Sequence, residues 1–318
     1  MIYGATHKLT LAGVFASLLF ALAACTVDGD PVSVEPVSHG GKHLSSSAQS
    51  SDSKSSGVES SNSESAENES SSSEVVDDVD RDSTVYKMFE WLEFDSGRVE
   101  INAVKFTFDR YAVASTEVTQ EAFVAAMGGM PEQPQKGDDY PVVNVSWFDA
   151  VLFCNELSKM MGFDTAYTYS SVGSENFLKD VEIDYGVEAF RLPTEIEWEI
   201  AAHGGSSSKY YWGNEVASDY VYYGQTTGPV EVASYPPNPY GLYDMAGNAA
   251  EWVNDWYGTF PTKDMDNYTG ASKGTARVVR GGGWSDPIKD CAPDVRAKKD
   301  PLYTAMTLGF RVVYSKGF

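Results

Sequence analysis

Histidine is scarce in this chain, four in 318 residues, and His7, His39 and His43 all lie near the amino terminus, leaving His203 alone in the part able to fold. One imidazole cannot build a His-rich zinc centre, an HExxH site or a facial iron triad. A Ser-His-Asp arrangement would have to use His203, which is instead expected as a cationic residue facing the last carbonyls of a helix before Gly204-Gly205. Positive charge is also short: 23 Lys plus Arg stand against 46 Asp plus Glu, a formal −23. Phosphate contacts need a basic surface, so nucleic acid is excluded as a partner. Cysteine is limited to Cys25, Cys154 and Cys291, and nothing in the sequence brings Cys154 and Cys291 within disulfide reach.

No apolar run reaches the 18 or so residues of a membrane-spanning helix. The run Leu9–Ala24 follows His7 and Lys8 and has the length of a signal-peptide core. It ends in Leu22-Ala23-Ala24-Cys25, which resembles the lipobox of bacterial lipoproteins. The resemblance implies a signal peptide over 1–24, lipidation of Cys25, export, and a membrane partner reached through the anchor. Thr26 after the cysteine, where an Asp would retain the protein by analogy with the enterobacterial rule, implies the outer membrane of the cell envelope.

From Ser45 to Ser73, 16 of 29 residues are serine, with Glu, Asp and Asn between them. Such a stretch cannot bury enough surface to offset its ordering entropy. Residues 25–84 are therefore expected to be a disordered acidic linker, and 85–318 a single domain. From Val85 on the chain carries 33 acidic and 19 basic side chains, a formal −14, so much of the acidity belongs to the tether.

The domain reads as α+β. Val99–Phe108 alternates as an opening strand, with Tyr111–Val113 following. Thr116 or Thr119 can cap a helix running to Ala126, stopped by Gly128-Gly129; Ser146 can cap a helix from Trp147 to Met161, ended by Gly162. Thr194-Glu-Ile-Glu197 is a capping box that starts a third helix reaching Ala202. Further strands are expected at Tyr210–Trp212, Val230–Val232, Arg277–Arg280 and Phe310–Tyr314, joined by long connections that aromatics, polar networks or metal must hold.

Four segments in order carry a resemblance: Glu117-Val-Thr with Pro141-Val-Val-Asn-Val-Ser-Trp147; Arg191-Leu-Pro-Thr-Glu-Ile-Glu-Trp198; Asn238-Pro-Tyr-Gly-Leu-Tyr-Asp-Met-Ala-Gly-Asn248-Ala-Ala-Glu251-Trp252; and Arg280-Gly-Gly-Gly-Trp284 with a closing Leu308-Gly-Phe-Arg311. Together they resemble the sulfatase-modifying-factor superfamily, which includes formylglycine-generating enzymes. The resemblance implies a C-type-lectin-like fold: a small antiparallel sheet core, few helices and extensive loops. The enzymes of that family oxidise a sulfatase cysteine to formylglycine with oxygen and a copper(I) ion held by two thiolates, the soft ligands that select Cu(I).

The positions matching those two cysteines are Asp286 and Cys291. A carboxylate is a hard, poor ligand for Cu(I). Gly283, Pro287 and Thr307 also depart from the family pattern, whereas Trp252 is kept. Asp286, Cys291 and Trp252 are thus the catalytic candidates by resemblance, set against a turn role for Asp286 and a packing role for Cys291. Calcium is the better-supported ion: the resemblance implies a site at Gly247, Asn248, Ala249 and Glu251, as a hard cation needs oxygen donors. The other reading has Asn248 shaping the turn and Glu251 pairing with Arg280 or Arg311.

Aromatic density at Trp212, Tyr220, Tyr222, Tyr223, Tyr235, Tyr240, Trp256 and Tyr257 fits either a groove for peptide or glycan or the packing of long loops. Two classes of function follow. One is a lipid-anchored binding or scaffold module with a protein or peptide partner, favoured because one thiolate is missing. The other is a divergent copper- or other metal-dependent oxidase acting on a cysteine of exported sulfatases or on another substrate, with surface carbohydrate binding as a third reading.

Overall fold

The computed structural model describes residues 34–36, 86–216 and 218–316. The expected signal peptide, Cys25 and the serine-rich segment lie outside the described residues.

Three helices form where the caps predict. In α1 (Gln120–Met127) the Thr119 hydroxyl accepts the Ala122 amide, and Gly128, with φ 74°, closes the helix in the left-handed conformation. In α2 (Trp147–Met160) Ser146 and Asp149 exchange a capping box, and α3 (Glu195–His203) has the same device between Thr194 and Glu197. Among the described residues, three α-helices and several small sheets give the α+β class expected.

The largest sheet orders Val34–Pro36, Trp91–Phe94, Tyr111–Ala114, Val313–Ser315 and Ala189–Arg191, with every neighbouring pair antiparallel. A four-stranded sheet runs Ala297–Lys299, Arg277–Arg280, Ala250–Trp256 and Leu308–Phe310, the last pair parallel. A three-stranded sheet joins Met265–Asp266 to the hairpin of Val104–Phe108 and Gly97–Ile101.

Several expectations change. The single strand over Val99–Phe108 is a hairpin, because Asn102 and Ala103 both take positive φ and reverse the chain. The segment Phe310–Tyr314 is divided between two sheets, with Arg311 and Val312 at the crossing. Tyr210–Trp212 contributes only a bridge from Tyr210 to Gly213, and Val230–Val232 forms no strand. Conversely, Ala250–Trp256, the longest strand among the described residues, had no alternating signal, since Ala250 to Asp255 are all buried.

Two large apolar clusters flank this strand. One lies under α1 and α2, where Phe123 stacks on Phe153 and both meet Phe310 edge-on. The other fills the space between α3 and the hairpin, around Phe94, Phe106, Trp198 and Val253. Where the chains come closest only glycine fits: a Cβ on Gly309 would overlap the Val142 carbonyl oxygen. A third, small cluster of Val221, Ala246 and Cys291 sits beneath the loops and leads to the candidate site.

Candidate functional site

The turn Gly247–Glu251 and the loop Gly281–Cys291 come together through main-chain hydrogen bonds. The Gly247 amide donates to Gly281 O at 3.0 Å, and the Trp284 amide to Asn248 O at 2.7 Å. Tyr222 to Gln225 bind the same pair: Asn248 N donates to Tyr222 O, Gly224 N to Asp286 O, and Gln225 N to Trp284 O. Gly247 has φ 80° and lies so near Tyr222 that a Cβ would strike the main chain. The Gly247–Glu251 turn and the Asp286–Cys291 loop therefore meet in one place, whereas Trp252 turns into the cluster under α1 and α2.

Their chemistry is quiet. Asp286 uses Oδ2 to accept the Gly283 amide at 2.8 Å, closing a turn before Pro287. Cys291 is fully buried among Val221, Ala246 and Ile288. Burial, then the carboxylates of Asp286 and Asp290, push its thiol up to about 12, so it stays protonated at neutral pH. Cys154 is buried in a different cluster, under α2, and its thiol is likewise raised by burial. Both cysteines are free, and no two thiolates meet at one point among the described residues. Trp252 is buried, donating its indole N–H to Val145 O at 3.0 Å.

Glu251 is the hub of a buried charge network. Arg311 grips it in a fork, Nε to Oε2 at 2.7 Å and Nη2 to Oε1 at 2.8 Å, while the Trp198 indole donates to Oε2 at 2.7 Å. Arg311 spends its remaining N–H groups on the carbonyls of Ala114, Ser115 and Tyr243. Arg280 pairs with Glu195 and Glu199, and Arg191 with Glu197. Asn248 accepts the Val230 amide at 3.0 Å, so its side chain holds the neighbouring loop.

Two acids that sequence reasoning left without a role lie beside this hub. Glu117 accepts the Ala249 amide through Oε1 at 3.2 Å, but its buried Oε2 has no donor. Desolvation first, then Asp244, raises its carboxyl well above the usual range. Asp244 accepts the Ala233 amide at 2.8 Å, and burial raises it to about 6. Two carboxyls pressed together in a buried place need a proton or a cation between them. Both residues sit inside the family-like motif segments, yet nothing in their spacing, 127 residues apart, says that they meet.

His203 corrects another expectation. It does end α3, but it is only 6% exposed, and burial followed by the nearby Arg280 charge lowers its pKa, so the imidazole is neutral rather than a cationic cap. The aromatics divide into separate groups. Tyr210, Trp212 and Tyr220 stack in series over the Cys291 cluster, Tyr222 meets Tyr235, and Tyr240 packs edge-on against Phe94.

Small sheets with long loops held by buried ion pairs define a C-type-lectin-like domain of the formylglycine-generating type. The description "Sulfatase-modifying factor enzyme 1-like domain" matches residues 88–316, and the chain belongs to that family. The solved structure of Treponema denticola variable protein 1 is similar at TM-score 0.62 and 31% identity, covering 71% of this chain and 95% of that one. The chaperone protein LppX of Paenibacillus barcinonensis is 27% identical over 252 residues, 70% of this chain and 86% of its own length. The formylglycine-generating enzyme of Thermomonospora curvata is 32% identical over 166 residues, 45% of this chain and 44% of the enzyme. Among curated relatives the shared stretch falls as low as 20% of the relative's own length.

Proposed function

We propose that this domain is a binding module of the sulfatase-modifying-factor type, displayed from a lipidated Cys25 in the cell envelope, and not a generator of formylglycine. The observation that carries the reading is the Asp286–Cys291 pair: one member is a carboxylate closing a turn, the other a buried thiol held protonated. A Cu(I) site needs two soft, ionised sulfurs, and this loop offers one sulfur in its neutral form. A relative named as a chaperone, matching along most of both lengths, supports a binding role with a protein or peptide partner.

The test is a copper(I) titration of the full chain and of Asp286→Cys. The parent should compete poorly with a soft chelator, and the variant should gain tight one-to-one binding. Equally tight binding by the parent would reject the reading. Lipidation is checked by mass spectrometry of the amino-terminal peptide, with the diacylglyceryl mass lost in Cys25→Ser.

Calcium belongs to the same proposal, with a changed set of donors. Glu251 is committed to Arg311 and Trp198, and Asn248 to Val230. Glu117 has the spare carboxylate oxygen, facing Asp244 and beside the main chain of Ala249. There a divalent cation would replace the proton the two acids otherwise need and would lock the turn, a structural role. Calcium should raise the melting temperature at pH 7 over an EDTA control, and Glu117→Gln should abolish the increment.

A further inference from the structure

Four arginines of the domain are buried: Arg191, Arg277, Arg280 and Arg311. Three hold carboxylates, through Glu197, through Glu195 and Glu199, and through Glu251. Arg277 has none among the described residues. Its guanidinium lies between two indoles, 3.7 Å from the ring of Trp147 and 3.5 Å from that of Trp256, and its one side-chain hydrogen bond runs from Nη1 to Asn254 O at 2.6 Å. Nε is buried with no acceptor. Burial lowers its pKa only to about 10, so the group is cationic at neutral pH.

This unmatched cation lines an open cavity of about 410 Å³, within the size range of small-ligand sites. Phe148, Phe177, Leu178 and Leu302 give the cavity apolar walls, while Asp180 and Asp300 stand on its rim. Phe177 and Leu302 are well exposed, so these walls are open to an arriving ligand. A buried guanidinium that makes no direct ion pair, with the Asp255 carboxylate acting on it only from beyond salt-bridge distance, flanked by aromatic faces and set against apolar side chains, is complementary to a carboxylate carried on an apolar body. Asp180 pairs with Lys179 at 4.0 Å and accepts the Ser170 hydroxyl, so Asp300 is the rim carboxylate that chiefly disfavours further negative charge and suits a positive one.

We propose that this cavity binds an α-carboxylate attached to a large apolar side chain, with Arg277 taking the carboxylate and Phe148, Phe177 and Leu302 taking the side chain. The chemistry is shared by a free amino acid and by the carboxy-terminal residue of a peptide. The site lies apart from the Asp286–Cys291 loop and stands whatever that loop does.

The test titrates the full chain with phenylalanine, N-acetylphenylalanine and phenylalaninamide, following tryptophan fluorescence and heat. Saturable one-to-one binding of at least one carboxylate form is expected, with the amide at least about tenfold weaker. Tighter binding of phenylalanine identifies a free amino acid whose ammonium meets Asp300; equal or tighter binding of the acetyl form identifies a peptide end. Arg277→Gln should remove binding. Because Arg277 also bridges two tryptophans and its loss can unfold the domain, Phe177→Asp and Leu302→Asp, at exposed positions, serve as the second arm and should each weaken binding at least about tenfold with an unchanged melting temperature. No saturation by about 10 mM, an amide bound as well as the acids, or rim variants that bind like the parent would each overturn the proposal.

Discussion

The two segments that meet at the candidate site treat charge in opposite ways. Glu251 and Arg311 are buried and matched to each other, with a fork of two short hydrogen bonds and an indole N–H closing the set. Across the turn, the Trp284–Cys291 loop keeps its carboxylates at the edge and its thiol neutral. The first arrangement holds loops together. The second is where a member of this family would do redox chemistry, and here its side chains close a turn and fill a small core. The family scaffold can thus be kept whole while its reactive pair is not.

The matched side of this comparison should break most severely. Glu251→Ala leaves Arg311 buried without its carboxylate, and a loss of about 3–5 kcal/mol is expected in urea denaturation. Glu251→Gln, which keeps a carbonyl oxygen for Arg311, should lose less.

The neighbouring acids predict the pH dependence. Asp244 has a folded pKa near 6, raised chiefly by burial, against an ordinary value of 3.8. A folded state that binds its proton more tightly than the unfolded chain is favoured at low pH, so without calcium this contribution to stability falls as pH rises from about 4 to 6, by up to about 3 kcal/mol. Asp244→Asn should flatten that part of the profile.

Two smaller effects sharpen the contrast between scaffold and loop. Gly309→Ala forces a Cβ against the Val142 carbonyl and should cost about 1–3 kcal/mol in a thermal melt. Ser146→Ala removes the α2 cap, about 1 kcal/mol by the same measurement. Cys291 lies at the bottom of this scale: with its thiol near 12, alkylation of the native protein by iodoacetamide should be slow at pH 7 and should quicken on unfolding.

Much of this was legible in the sequence because it is local. Thr119, Ser146 and Thr194 announced their helices, since a cap is a relation between residues three apart. The motif segments pointed to the Gly247–Glu251 turn and the Asp286–Cys291 loop, which do meet, because their order resembles a known family. What stayed hidden depends on contacts across the chain. The strand Ala250–Trp256 is buried on both faces and so has no alternation to read. Glu117 meets Asp244, and Arg277 lies between Trp147 and Trp256, only once the sheets have formed. His203 was misread because its helix position suggested a cap, while its charge state follows from burial that position alone does not give.

The most direct measurement is aldehyde formation on a peptide bearing the sulfatase Cys-x-Pro-x-Arg motif, incubated with the full chain, oxygen, Cu(I) and a thiol reductant and read by mass spectrometry. The account predicts a peptide of unchanged mass after many hours, because Asp286 and a protonated Cys291 cannot hold the metal as two thiolates do. Catalytic conversion of cysteine to formylglycine, lost in Cys291→Ser with the fold intact, would contradict it.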